Sequence, residues 1–140
     1  MAELPDRAAV KAYVGPPAEP IFDGDRLRMH DGNTPGGIGL ARCGRKAIAN
    51  ANYAAVPSDA YVGVTQLTAA RTISPPAAAS FEPGQALYIA DESGSCSESL
   101  PIIVLASGSD AIAGQPSVLL VAPYQKLTFH SNGANLWTYA

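Results

Sequence analysis

Between residues 60 and 140 the chain repeats one pattern: a short run of β-branched, aromatic and aliphatic residues, then a cluster of turn formers. The runs are "AYVGVTQL", "RTISP", "QALYIAD", "PIIVLA", "SVLLVA", "KLTFHS" and "LWTYA", and the turn clusters are "PPAAASFEPG", "ESGSCSESL", "SGSDAIAGQP", "PYQ" and "SNGAN". Runs this short, recurring at intervals of roughly ten residues, predict an all-β unit over residues 60–140.

Alternation assigns faces within these strands. Leu87 and Ile89 point one way and Tyr88 the other; Leu127 and Phe129 oppose Thr128; Trp137 and Tyr139 flank Thr138. The segments "IIVL" and "VLLV" are apolar on both faces, so each needs two covers, and in a small domain the second is most simply another subunit. Ile103, Leu105, Leu120 and Val121 are therefore expected in an oligomer core. Composition agrees: 47% of the residues are apolar and only 15% charged, too few to cover a 140-residue monomer with polar groups.

The first third of the chain differs. "PDRAAVKAYV", residues 5–14, predicts a short helix capped by Asp6 and stopped by Pro16 and Pro17. "PIFD" and "RLRM" predict a hairpin joined through Gly24 and Asp25. The hairpin runs into "MHDGNTPGG", where Asp31, Gly32, Asn33, Pro35, Gly36 and Gly37 crowd turn formers into one shaped loop. Residues 1–42 form the N-terminal module in this reading. Residues 43–59, "CGRKAIANANYAAVPSD", form a linker with a short helical turn near Lys46–Ala51.

Several functions are disfavoured. A net charge of −3 with no basic stripe argues against nucleic acid as a partner. No apolar run reaches the ~18 residues of a membrane helix, so no membrane insertion is expected. The opening "MAELPDRAAV" lacks the charged and apolar regions of a secretory signal, so a cytosolic origin is expected. Cys43 and Cys96 have no CxxC partner and are expected as free thiols without a metal.

Four stretches invite a chemical reading, and each has a simpler architectural one. His30 and Asp31 resemble an acid–base pair, but strand neighbours point to opposite faces. Ser131 and His130 supply parts of a nucleophilic triad, yet "HSNGAN" reads as a strand end and a turn. "DGNTPGG" lacks the Lys and the following helix of a phosphate loop. The acidic "ADESGSCSES" loop, with Asp91, Glu92 and Glu98, lacks the spacing of a calcium loop and favours an Asx turn centred on Asp91. No catalytic residue, metal ligand or cofactor is assigned. For binding, Tyr124 and Tyr139 are the candidate receptor contacts, since aromatic rings can stack on sugars; packing between subunits is the alternative use.

"EPIFDGDRLRMHDGNTPGGIGLA" resembles the N-terminal module of bacteriophage tail-fibre and receptor-determinant proteins, in which a hairpin leads to a D-G-x-T-x-G-G turn. Asp31, Gly32, Thr34, Gly36 and Gly37 match that turn. The second half is similar to another recurring phage unit, matched at Thr72–Pro75, Pro83 and Gly84, Asp91–Gly94, Gly108–Ile112 with Gly114, and Ser131–Gly133 with Trp137. The resemblance implies a virion protein made in the bacterial cytoplasm. The expected fold is all-β: a short helix and hairpin module followed by a β-sandwich or β-prism-like domain, assembled as a homotrimer. The expected function is a non-enzymatic surface fibre or spike that helps the particle attach to a host glycan or protein, in contact with other tail or capsid proteins. A capsid spike or decoration protein is the alternative, and a small glycan hydrolase is the alternative from another class. A full polysaccharide-degrading β-helix does not fit in 140 residues, so depolymerase activity is not carried over.

Overall fold

The computed structural model describes residues 7–23, 26–40 and 44–140. Its contacts divide the chain into two units, Met1–Ala41 and Arg42–Ala140. The expected cap Asp6, the hairpin link Gly24–Asp25 and Cys43 lie outside the described residues.

In the first unit, α1 (Arg7–Ala12) is followed by β1 (Pro20–Asp23), β2 (Arg26–Met29) and β3 (Ile38–Gly39). The helix ends at Ala12, two residues before the end that the apolar spacing predicts. Its last turn closes through the Tyr13 N–H and the Ala9 carbonyl at 3.0 Å, and Pro16 and Pro17 allow no continuation. β1, β2 and β3 form an antiparallel sheet in that order, with Phe22 opposite Leu27 and Met29 opposite Ile38. Ile21, Asp23 and His30 are buried, as is Val10 on the helix.

The second unit contains two sheets, and the chain alternates between them. β4 (Arg45–Ala49), β6 (Tyr61–Gln66), β8 (Ala86–Asp91), β10 (Ala111–Ile112), β12 (Lys126–Ser131) and β13 (Leu136–Tyr139) build a six-stranded sheet. β5 (Tyr53–Ala54), β7 (Arg71–Ser74), β9 (Ile102–Leu105) and β11 (Ser117–Leu120) build a four-stranded one. From β4 to β12, successive strands of one sheet are separated by a strand of the other; β4, β6 and β8 run parallel, and so do β5, β7 and β9. Only the last stretch turns antiparallel: β11 pairs with β9, and β12 inserts between β8 and β13.

The inward residues of both sheets share one buried cluster. Ile48, Val62, Val64, Leu87, Ile89, Phe129 and Trp137 come from the six-stranded sheet, and Ile73, Ile102, Val104 and Leu120 from the four-stranded one. Phe81 closes against Trp137 edge-on at 5.1 Å between ring centroids. The seven runs expected as strands are all strands. The stretch expected as a helical turn is instead β4, parallel to β6, with β5 after it; the single inward Ile48 and the neighbouring strand override its weak pattern. Residues 45–54 thus supply strands to both sheets.

Candidate functional site

Asp91 ends β8, only 2% exposed, and its carboxylate organises the loop that follows. Oδ1 accepts from the Ser93 N–H at 3.0 Å and the Ser93 hydroxyl at 2.6 Å. Oδ2 accepts from the Cys96 N–H at 3.2 Å and the Tyr124 N–H at 3.0 Å. Burial on its own would raise the Asp91 pKa; the bonds from Ser93, Tyr124 and Cys96 outweigh it and hold the carboxyl below the ordinary range. The expected Asx turn is present, and its second oxygen reaches a distant loop.

That loop carries Tyr124, 71% exposed and in the left-handed region at φ +58°. Bulky residues rarely adopt this conformation, and here Asp91 holds the main chain in it. The ring leans on Gly94, where a β-carbon would lie 2.5 Å from Tyr124 Cζ. Gly94 is itself at φ +73°, so two requirements exclude a side chain there. Asp91, Gly94 and Tyr124, expected as turn residues and receptor contact, therefore form one constellation: an exposed aromatic ring on a pinned loop. Tyr139 lies elsewhere, opposite Phe129 on β13, with ring centroids 5.9 Å apart and 42% exposure.

The acidic loop does not gather oxygens for a cation. Glu92 turns away to Arg45 on β4, whose Nε donates to Oε1 at 3.0 Å and whose NH2 group pairs with Oε2. Among the described residues no group of three His, Cys, Asp or Glu is placed to hold a metal. Cys96 is buried, and its thiol donates to the Leu120 carbonyl at 2.9 Å; burial, then the Asp91 charge, push its pKa up.

The "DGNTPGG" loop of the first unit is a second constellation. Asp31 Oδ1 accepts from the Asn33 and Thr34 N–H groups at 2.9 and 2.7 Å, and Oδ2 from the Thr34 hydroxyl at 2.8 Å. These bonds, led by the Thr34 N–H, lower the Asp31 pKa to about 2. Gly32, Gly36 and Gly37 all take positive φ. Arg28 donates from Nε to the Gly36 carbonyl at 2.6 Å and from its NH2 group to the Gly37 carbonyl at 2.7 Å. The Gly36 and Gly37 carbonyl oxygens thus bond within the unit. His30 is buried and its Nδ1 accepts the Gly15 N–H at 3.1 Å, while Asp31 is exposed in the turn; the two do not form an acid–base pair.

Ser131 and His130 separate in the same way. The Ser131 hydroxyl is buried, donating to the Ala78 carbonyl at 2.7 Å and accepting the Gly133 N–H at 2.9 Å, whereas His130 is exposed.

The outer face of the four-stranded sheet collects a third set. Register places Ile103 opposite Leu119 and Leu105 opposite Ser117, all on the side away from the core. Leu105 is 43% and Leu119 47% exposed. One expectation needs correction here. Leu120 is fully buried in the chain's own core, because pairing with the inward Ile102 fixes the parity of β11; the outward residue is Leu119, which the two-sided apolar pattern did not single out. Val121 follows the strand, half-buried, with its N–H held by Gln125 at 2.7 Å.

No helix among the described residues is long and apolar enough to cross a membrane. No protein-family model matches the chain, and no curated protein matches it significantly.

Proposed function

We propose that this chain is a non-enzymatic structural protein of a phage or phage-like particle. In this reading it assembles as a homotrimer into a surface fibre or spike and contributes to host attachment. The observation that carries the reading is the outer face of the four-stranded sheet. Ile103, Leu105 and Leu119 stand together on a regular strand surface, partly or largely open to water, and burying them between copies is favourable at about 25 cal/mol per Å². The two sheets are read as a sandwich whose second cover comes from a neighbouring subunit. The resemblance of "DGNTPGG" and of the second half to phage modules supports the virion assignment. Tyr124 is the favoured receptor contact, since its loop is pinned by Asp91 while its ring stays exposed. In this reading Asp91, Ser131 and Glu92 serve structure, each engaged in hydrogen bonds within the chain.

Light scattering on the purified chain tests the assembly. A mass three times the 14.4 kDa of one chain is expected, and a monomer overturns the trimeric spike. Labelled microscopy on particles then tests the location: label on a tail fibre or spike is expected, label on the head lattice favours the decoration protein, and unlabelled particles count against a virion role.

A further inference from the structure

Of the asparagines Asn33, Asn50, Asn52, Asn132 and Asn135, only Asn132 precedes a glycine. With no β-carbon on Gly133 to hinder approach, the Gly133 main-chain nitrogen is the least obstructed internal nucleophile an asparagine can meet. When it bonds to Asn132 Cγ, the Cγ–Nδ2 bond breaks, ammonia leaves with the Gly133 amide proton, and a cyclic succinimide remains. Water opens that ring at Cγ to give aspartate, or at the main-chain carbonyl to give isoaspartate. Asn132 is exposed, so water has access.

We propose that Asn132 is a site of spontaneous deamidation that its own turn holds unreacted, so that conversion waits on local opening between β12 and β13. The electrophile is pinned first. Asn132 Oδ1 accepts from the Ala134, Asn135 and Leu136 N–H groups at 2.9, 2.9 and 3.0 Å, and Nδ2 donates to Asn135 Oδ1 at 3.2 Å. Ring closure turns the side chain back over its own main chain, and Oδ1 then leaves these donors. The nucleophile is held as well. The Gly133 N–H donates to Ser131 Oγ at 2.9 Å, and that hydroxyl is fixed in turn by donating to the Ala78 carbonyl at 2.7 Å. Rotation of the peptide between the two residues is opposed from both sides: the Asn132 N–H donates to the Leu136 carbonyl at 2.9 Å, and a β-carbon at Gly133 would lie 2.7 Å from Pro83 Cγ, so the glycine sits tight against the proline. Losing even one net hydrogen bond on the way to the ring is enough for about a tenfold change in rate.

The two products differ in consequence. Aspartate keeps an acceptor oxygen for the same N–H groups. Isoaspartate inserts an extra carbon into the main chain just before β13, whose Trp137 lies opposite Ser131 and is fully buried.

The test ages the full chain at mildly alkaline pH, folded and in urea, and reads conversion at Asn132 by peptide mapping with mass spectrometry. Conversion in the folded chain is expected to be at least about tenfold slower than in urea. Ser131→Ala frees the Gly133 N–H and should speed conversion in the folded chain several-fold, with urea denaturation confirming that the variant is folded. Pro83→Ala, at an exposed position, loosens the same glycine without touching the core and should act in the same direction. Equal rates in folded and unfolded wild type, no conversion in either state, or wild-type rates in both folded variants would overturn the proposal.

Discussion

The main-chain N–H of Tyr124 donates to Asp91 Oδ2 at 3.0 Å, joining two turns 33 residues apart. One carboxylate thereby sets both the loop after β8 and the left-handed conformation of an exposed tyrosine. Asp91→Asn keeps the shape but replaces one acceptor with an amide donor, which faces the Cys96 and Tyr124 N–H groups if the remaining oxygen serves Ser93. Leaving those donors unsatisfied should lower stability by about 2–3 kcal/mol. Urea denaturation measures the loss.

Acid should act through the same two turns. Asp31 and Asp91 both have folded-state pKa values below the ordinary carboxylate value. A depressed pKa contributes stability that is present above the unfolded value and lost as pH falls through the folded one. For Asp31 the window runs from 3.8 down to about 2. Stability measured across that range should fall with pH in the wild type. Asp31→Asn should flatten part of the slope, and an identical slope would remove Asp31 from the account.

The parts of the fold that could be read in advance are those set by neighbours in sequence. Alternation in "QALYIAD" and "KLTFHS" marks Leu87, Ile89 and Phe129 as inward, and Asx turns at Asp31 and Asp91 use donors two to five residues away. β4 was illegible because "RKAIA" has one inward apolar residue, Ile48, and becomes a strand through its parallel partner β6. The winding of the chain between two sheets is equally hidden, since strand spacing is the same whether consecutive strands pair or alternate. β11 shows a third limit: a strand apolar on both faces has no alternation to read, so its inward residue is known only once Leu120 is seen opposite Ile102. The pairing of Arg45 with Glu92, 47 residues apart, left no local signal either.

That parity separates two adjacent leucines experimentally. Leu120→Asp places a charge in the chain's own core and should destabilise the fold by roughly 4 kcal/mol or more. Leu119→Asp places it on the outer face, so the fold should change by no more than about 0.5 kcal/mol while the oligomer weakens. Thermal unfolding and light scattering on both variants distinguish the effects. An intact oligomer with Leu119→Asp would remove the outer face of the four-stranded sheet from the assembly.

Tyr124→Ala tests attachment separately from folding. The ring is 71% exposed and lies against Gly94, while the bond to Asp91 comes from the main chain and survives the substitution. Stability should therefore shift by less than about 1 kcal/mol, and binding of the chain to host cells should fall several-fold, as expected when a central aromatic contact is truncated. Full binding with Tyr124→Ala would move the receptor contact elsewhere.

The glycines of the N-terminal loop give the strongest test of that unit's architecture. Gly37 is at φ +69°, and a β-carbon there would lie 2.9 Å from the Met29 carbonyl oxygen; Gly36 is at φ +74°, with Lys11 main-chain atoms 3.0 Å from the same position. Both obstacles are backbone, which cannot swing aside as a side-chain tip can. Each left-handed residue adds about 1–2 kcal/mol for an ordinary side chain, and a β-branched one fits worse. Gly36→Val with Gly37→Val should therefore unfold the sheet of β1, β2 and β3 while the second unit, with its own buried cluster, stays folded. Amide hydrogen exchange reads this directly: protection should vanish at Ile21 and Arg28 and persist at Val62 and Ile89. Equal protection at all four positions would show that neither glycine is needed for the turn.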